Sequence, residues 1–439
     1  MMCKVSARLK AGVALAAMLS QLAAGPAAAF CGFYVAQADS KLFNKSSKVV
    51  LARNGNQTAI TMASDYEGEP KEFAVVIPVP TFIERRQIGV VENKTLDHID
   101  AYTAPRLVEY FDKDPCEPVV LAAETAMPVL WAPSTLAAMS RAAAYAGVTV
   151  EASYDVAEYD VSILSAKESN GLVRWLTDNG YRIPGGATEI LGSYIRQNMR
   201  FLVAKVNLER MKLTGNAYLR PLQVRYETPK FMLPLRLGTV NANGPQDLIV
   251  YALTQGGRVE AANYRTVKLP TGMRVPLYVR EEFGNFYKAL FGRSATRENN
   301  GAVFVEYAWD IGKCDPCAAA PLSGEELADL GARWIGDAGV VRSRGGAAVF
   351  VTRLHVRYDA RTFPEDITFL ETQDRQTFQS SYVLQHPWQG SAGCPAAETY
   401  RAGLPGRFAN EAATLVELTG WPREAVEARM QASGQPLHP

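Results

Sequence analysis

The chain has 439 residues, of which 48% are hydrophobic, and this is enough apolar material for one large core or two medium ones. Lys and Arg total 46 against 45 Asp and Glu, so the formal net charge is only +1. Because no basic stripe of the kind that attracts phosphate backbones stands out, the composition argues against nucleic-acid binding.

The first 29 residues have the pattern of a secretory signal peptide. Three basic residues precede an apolar run too short to cross a bilayer comfortably, and Ala27 and Ala29 then supply small side chains at the spacing of a cleavage site. We expect cleavage after Ala29 and export to the periplasm or the extracellular space; an N-terminal membrane anchor is the alternative. No later stretch reaches the ~20 apolar residues of a membrane helix, so no transmembrane segment is expected after cleavage.

Residues 30–116 are interpreted as an N-terminal β-rich unit. Asn54-Gly55 separates two β-prone runs, which predicts a hairpin. Further along, Thr103 as a cap and Pro105 in the first turn predict a helix that continues to about residue 111.

Residues 117–147 are rich in Ala and Pro and are interpreted as a connection, followed by a main α+β region over 148–439, with a further division near 295–300 left open. Asn179-Gly180 predicts the end of one helix.

Two further patterns predict helices later in the main region. Ser323 and Glu326 have the spacing of a capping box, which predicts a helix start. A C-terminal helix is predicted from about Leu404, with a break at Trp421-Pro422.

The segment around residue 354 alternates between apolar and cationic side chains, which predicts a strand. Arg353, His355 and Arg357 fall on one face and the apolar residues on the other. This cationic stripe is a candidate contact for an anion or another ligand. The alternative is the solvated face of an edge strand.

Five cysteines remain after removal of the signal peptide, and all are disulfide candidates in an oxidising compartment: Cys31, Cys116, Cys314, Cys317 and Cys394. An odd number leaves one thiol over, and the sequence does not select the pairing. Asp-Pro precedes both Cys116 and Cys317, and proline holds each of these two in a stiff turn. This suits a structural cross-link.

The CxxC of Cys314 and Cys317 also permits thiol–disulfide redox chemistry. A capped helix start only at Ser323, together with Asp315 between the two sulfurs, disfavours a reactive thiolate there.

A metal site is not predicted, since the chain has no second CxxC and its histidines are scattered: His98, His355, His386 and His438. No cofactor is expected.

No catalytic residue is assigned, because the chain lacks a GxSxG elbow, an HExxH motif and a Gly-rich phosphate loop. The cluster of Asp97, His98 and Asp100 is interpreted as the solvated face of a helix rather than an acid–base site.

Several long blocks carry a family resemblance that covers nearly all of the chain after residue 29. They include "FCGFYVAQADSKLFNKSSKVVLAR", "DYEGEPKEFAVVIPVP", "HIDAYTAPRLVEYFDKDPC" and "EYAWDIGKCDPC". The chain resembles the bacterial domain-of-unknown-function family 2330. The resemblance implies an exported bacterial protein and implies no activity.

Together these patterns predict an α+β protein, predominantly antiparallel β-sheet in sandwich-like units with several short amphipathic helices. The favoured function is a non-catalytic envelope binding or structural module stabilised by disulfides, with an unidentified envelope or extracellular ligand. An extracytoplasmic thiol–disulfide enzyme acting at Cys314 and Cys317 is the alternative. The odd cysteine leaves a covalent oligomer open.

Overall fold

The computed structural model describes residues 33–36, 43–67, 73–117, 147–181, 183–213, 219–241, 244–313, 315, 320–335, 349–391 and 393–437. The strands in chain order are β1 (Phe33–Ala36), β2 (Phe43–Asn54), β3 (Gln57–Glu67), β4 (Phe73–Val79), β5 (Ile88–Val90), β6 (Arg106–Phe111), β7 (Val148–Val156), β8 (Tyr159–Ala166), β9 (Arg200–Val206), β10 (Leu222–Glu227), β11 (Met232–Leu233), β12 (Gln246–Thr254), β13 (Val259–Ala261), β14 (Arg265–Lys268), β15 (Met273–Arg274), β16 (Ala302–Asp310), β17 (Phe350–Tyr358), β18 (Ile367–Glu371), β19 (Phe378–Gln379) and β20 (Ser381–His386).

The helices are α1 (Asn93–Thr103), α2 (Ser169–Asp178), α3 (Ala187–Arg196), α4 (Leu208–Leu213), α5 (Phe283–Arg297), α6 (Gly324–Asp329), α7 (Pro395–Thr419) and α8 (Arg423–Ala432). Short 3-10 helices cover Arg85–Gln87, Arg236–Asn241, Leu277–Arg280 and Arg333–Ile335.

The predicted α+β class and the predominance of antiparallel β-structure are confirmed. The largest sheet has the strand order β14-β16-β17-β12-β2-β3-β10-β5, with β19 added beside β16. Its strands pair antiparallel except at β12–β2 and β14–β16. A second sheet, β1-β4-β9-β8-β7, is antiparallel throughout.

The two sheets pack face to face around the main core, as the predicted sandwich requires. Val49 and Leu354 of the large sheet share this core with Ile77, Ile163 and Leu202 of the five-stranded sheet. Side chains at every second position of each strand therefore interdigitate between the sheets.

Helices cover the outer face of both sheets. Leu172 on α2 and Leu191 on α3 pack against the outer face of the five-stranded sheet. Ile99 on α1 and Leu327 on α6 pack against part of the outer face of the large sheet. Another part of that face, near Phe304, is covered by the cluster that α5, α7 and α8 form. Both faces of the large sheet are thus buried over much of its area.

Strands from the two sides of the Ala/Pro-rich segment share sheets. In the large sheet, β2 pairs parallel with β12, so that Val50 lies beside Tyr251. In the five-stranded sheet β4 pairs with β9, so that Ile77 lies opposite Leu202. Residues 118–146, most of the predicted connection, lie outside the described residues.

The hairpin predicted at Asn54-Gly55 and the capping box predicted at Ser323 are confirmed. The β2–β3 hairpin pairs Asn54 with Gln57, and its first loop residue, Gly55, has φ +57°. A two-residue loop with positive φ at its first position is a turn that twists with the strands. The Ser323 hydroxyl accepts from the Glu326 amide, while the Glu326 carboxylate accepts from the Ser323 amide, completing the capping box.

The helix predicted from Thr103 is wrong. α1 ends at Thr103, and β6 follows instead, paired in parallel with β20. Pro105 disfavours helical backbone in Ala104, which is extended with ψ 147°. The C-terminal helix begins at Pro395, nine residues before the predicted start, and contains Pro405; the predicted break at Trp421-Pro422 is confirmed.

Candidate functional site

The cationic stripe lies in the interior of the large sheet. β17 is flanked by β16 and β12, so it is not an edge strand. Arg353 is 7% exposed and His355 is 6% exposed. The alternative of a solvated edge is therefore wrong, because both faces of this strand are covered.

A β-bulge places a buried carboxylate against the stripe. The register of β16 against β17 shifts between Val305 and Tyr307, which leaves Glu306 as the extra residue. Such a bulge turns a side chain out of the regular alternation. Glu306 is 0% exposed, and its carboxylate lies 2.5 Å from Arg353 Nε and 2.6 Å from His355 Nδ1.

The hydroxyl of Tyr287 on α5 donates to the same carboxylate. Burial opposes ionisation of Glu306, but the positive charges of His355 and Arg353 hold its pKa below the ordinary value. The carboxylate is therefore buried in its charged form.

Asp100 on α1 continues the network at one end. Arg353 Nη1 donates to its carboxylate at 2.6 Å and to its carbonyl at 3.0 Å. The Lys48 ammonium lies 2.6 Å from the same carboxylate, and the Tyr251 hydroxyl donates to it at 2.7 Å. Although burial opposes ionisation, Arg353 and Lys48 lower the pKa of Asp100 to about 2.

Asp247 on β12 closes the network at the other end. The Arg357 guanidinium donates two parallel bonds to this carboxylate, each of 2.8 Å. His355 Nε2 lies 3.8 Å from the same group, and the imidazole ring stacks on Phe291 with 3.5 Å between centroids. Burial lowers the pKa of His355, but the charges of Glu306 and Asp247 raise it above its ordinary value.

The charges alternate in sign along this whole network, which stabilises each group by its neighbours. The stripe does contact anions, and in the structure those anions are this chain's own carboxylates. Contact of Arg353, His355 and Arg357 with an external ligand stays a prediction.

Two of the five candidate cysteines, whose pairing the sequence left open, form a disulfide in the structure. Cys116, five residues after β6, is bonded to Cys394 at the N-terminus of α7, with an S–S distance of 2.02 Å. The bond joins positions 278 residues apart. Cys31, Cys314 and Cys317 lie outside the described residues, so their pairing stays open.

A second polar cluster lies beside the disulfide. The Asp112 carboxylate accepts from Arg407 at 2.5 Å, Tyr400 at 2.5 Å and Gln385 at 2.6 Å. One helical turn further along α7, Glu411 is 2% exposed; burial raises its pKa to about 7. These contacts fasten α7 to β6 and β20.

The histidines that the structure describes do not converge. His98 lies 2.8 Å from Glu326 and 2.9 Å from the carbonyl of Ala320, while His386 lies 2.8 Å from Glu109. His438 lies outside the described residues. In the part of the chain that is described, no three metal-ligating side chains form a group.

The helix that carries Asp97, His98 and Asp100 is only partly solvated. Asp97 is 74% exposed, as the interpretation of a wet helix face requires. Asp100 instead points into the charge network, so for this residue that interpretation is wrong.

Sequence reasoning missed the carboxylates that complete the network. Glu306 is the one acid within the apolar run "AVFVEYAW", which precedes Asp310. A buried glutamate is almost always paired, so this position was a usable signal for a partner cation. Asp247 and Tyr287 carried no comparable signal, since each sits in an ordinary polar context.

The sheets and helices define the protein as α+β and rich in β-structure. Comparison with known proteins adds the family. The profile of a family described as an uncharacterized protein conserved in bacteria, DUF2330, matches residues 25–370, and the chain belongs to this family. No curated protein and no solved structure matches the chain.

The matched region ends within β18, so β20, α7 and α8 lie beyond it. The disulfide therefore links the family region to the C-terminal helices. Within the described residues, none of the helices is both long enough and apolar enough to cross a bilayer.

Proposed function

We propose that this protein is an exported, non-catalytic module of the bacterial envelope that binds or supports another envelope or extracellular component. The observation that carries the proposal is the Cys116–Cys394 disulfide. Disulfides persist in oxidising compartments and are rare in the bacterial cytosol. The bond suits a protein that functions outside the inner membrane.

The buried charge network supports the non-catalytic part of the proposal. Glu306, Arg353 and His355 are all at most 7% exposed, and each is paired with another member of the network. A general base or nucleophile must reach its substrate within hydrogen-bond distance. These groups instead stabilise the contact between β16, β17 and the covering helices.

Export is tested by expressing the full chain in a bacterial host and fractionating the cells. We expect a periplasmic or secreted product whose N-terminus is Phe30, together with a non-reduced peptide that joins Cys116 to Cys394. A matched variant, Ala29→Arg, blocks the small-residue cleavage site and is expected to remain unprocessed. A cytoplasmic product with both of these thiols free contradicts the proposal.

The thiol–disulfide alternative is tested with the same material. Asp315 lies between Cys314 and Cys317 in the sequence, and its carboxylate accepts from Tyr307 at 3.1 Å and Gln379 at 2.9 Å. A fixed carboxylate disfavours a neighbouring thiolate. We expect no insulin reduction above that of the Cys314→Ser/Cys317→Ser variant. Turnover that depends on these two residues contradicts the non-catalytic role.

A further inference from the structure

A cleft of about 430 Å³ opens beside the β2–β3 hairpin, on the outer face of the large sheet. Its lining includes the side chains of three arginines, Arg86, Arg225 and Arg333, and one carboxylate, Glu227. The three arginines come from separate parts of the chain, so only the fold brings them together. The volume falls in the range of small-molecule sites, roughly 300–1,000 Å³.

The central arginine is held in place by its neighbours. The Arg225 backbone carbonyl accepts from Gln87 Nε2 at 2.8 Å, and the Arg225 guanidinium donates to the carbonyl of Arg86. These two bonds fix the 3-10 helix Arg85–Gln87 against β10. The guanidinium therefore has a defined position before any ligand arrives, which reduces the entropy lost on binding.

The opposite wall is also positioned by specific contacts. Gln223, two residues before Arg225 on the same face of β10, donates to the carbonyl of Asp329 at 2.7 Å. Gly331 has φ +106°, and a Cβ there would lie 2.5 Å from the Cβ of Ala59. This close approach sets Arg333 and Trp334 beside the sheet surface, where both line the cleft.

The positive charges of the cleft are not balanced within it. Among the described residues no carboxylate forms an ion pair with Arg225 or Arg333, whereas Arg86 pairs with Glu84 at 2.5 Å. Burial, followed by the positive charges of Arg333 and Arg86, lowers the pKa of Arg225 below its ordinary value. An anion bound between these groups would relieve the repulsion.

We propose that this cleft binds a compact ligand that carries a carboxylate or phosphate group, with Arg225 and Arg333 as the principal contacts to its oxyanion. The planar guanidinium fork matches both kinds of oxyanion. Asn54 and Gln57 line the same cleft and supply neutral hydrogen-bonding groups for the rest of the molecule. The proposal goes beyond the envelope role and does not depend on the compartment.

The test is isothermal titration calorimetry of the purified protein at low ionic strength with two probes, citrate and inorganic phosphate. We expect at least one to bind. Arg225→Gln and Arg333→Gln should each weaken that binding about tenfold, as expected for loss of a charge-assisted hydrogen bond. Glu227→Gln should tighten it, because the carboxylate that Glu227 contributes to the lining is then neutral.

Arg174→Gln is the matched control, since Arg174 is an exposed arginine on α2, which packs on the five-stranded sheet, and does not line the cleft. It should bind like the wild type. Arg333 is exposed, so its variant keeps the test meaningful if Arg225→Gln does not fold.

Binding of citrate alone assigns a carboxylate ligand and binding of phosphate alone assigns a phosphoryl ligand, while binding of both supports the shared oxyanion chemistry. Failure of both probes to bind, or equal affinity in Arg225→Gln, Arg333→Gln and Arg174→Gln, overturns the proposal. Either failure leaves the fractionation and disulfide results for export untouched.

Discussion

The buried charge network and the arginine cleft occupy the same face of one sheet, yet their charges are arranged in opposite ways. The register runs from Arg353 through Tyr251, Val50 and Thr61 to Gln223, two residues before Arg225. In the network every cation meets a carboxylate of this chain. In the cleft, Arg225 and Arg333 lie near each other and neither forms an ion pair among the described residues. Paired buried charges contribute structure, whereas unpaired open ones are available to a ligand.

The largest expected effect is at Glu306. Glu306→Gln removes the negative charge while leaving Arg353 and His355 buried beside it, which should lower the free energy of unfolding by about 3–5 kcal/mol. Urea denaturation measures this change. Glu325→Gln, at an exposed position on α6, is the control and should stay within about 0.5 kcal/mol. A loss below about 1 kcal/mol at Glu306 would show that the network is not structural.

A smaller effect is expected at Gly331, which lies between the sheet and the cleft. Gly331→Ala combines a positive φ with a Cβ placed 2.5 Å from that of Ala59, so destabilisation of about 2–3 kcal/mol is expected. Thermal and urea unfolding measure it. Gly284→Ala is the control, because a Cβ at Gly284 meets nothing within 4 Å. Equal stability of the two variants would contradict the claim that the close approach at Gly331 positions the cleft wall.

Glu411 is a second buried carboxylate, and its pKa is shifted in the opposite direction to that of Glu306. Its neighbours are Gln435 Nε2 at 2.9 Å, which is neutral, and Arg407 Nε at 3.7 Å, which is too distant for a hydrogen bond. Burial therefore dominates and raises the pKa of Glu411 to about 7.

The raised pKa makes the folded state favour the protonated form. The stabilisation of the folded state by protonation of Glu411 is present in full below the ordinary pKa of a glutamate, about 4.3. This stabilisation is lost as the pH rises through about 7. Glu411→Gln should therefore be more stable than the wild type at pH 8, by about 2 kcal/mol, with a flatter dependence between pH 5 and 8. Urea unfolding at several pH values measures this; a parallel pH dependence in the two proteins would contradict it.

The smallest effect is expected at Arg333. Arg333→Gln should change the free energy of unfolding by no more than about 0.5 kcal/mol, because the side chain is exposed and carries no ion pair among the described residues. Calorimetric unfolding measures it alongside Glu306→Gln. A loss of stability comparable to that of Glu306→Gln would show that Arg333 stabilises the fold. The contrast between the charge network and the cleft would then disappear.

Local patterns predicted much of the framework. The alternation in β17, the capping box at Ser323 and the glycine turn at Gly55 each depend on interactions within a few residues, which the chain order alone specifies. The family assignment also followed from ordered blocks of sequence.

Other features depend on distant segments. β6 was predicted as a helix, because its capping pattern is local, but pairing with β20 made it a strand. The bulge at Glu306 arises from the register between β16 and β17. The partner of Cys116 is 278 residues away, and nothing in its neighbourhood indicates Cys394.

The sequence by itself determined the α+β class, the alternation of core and polar positions, the capping box at Ser323 and the chemical types available for pairing. These follow from backbone preferences and from the burial of apolar side chains, which act over a few residues. Only the tertiary structure decided which arginines meet carboxylates and which meet each other. Electrostatic energy depends on distance and burial in space, and the chain order does not contain either.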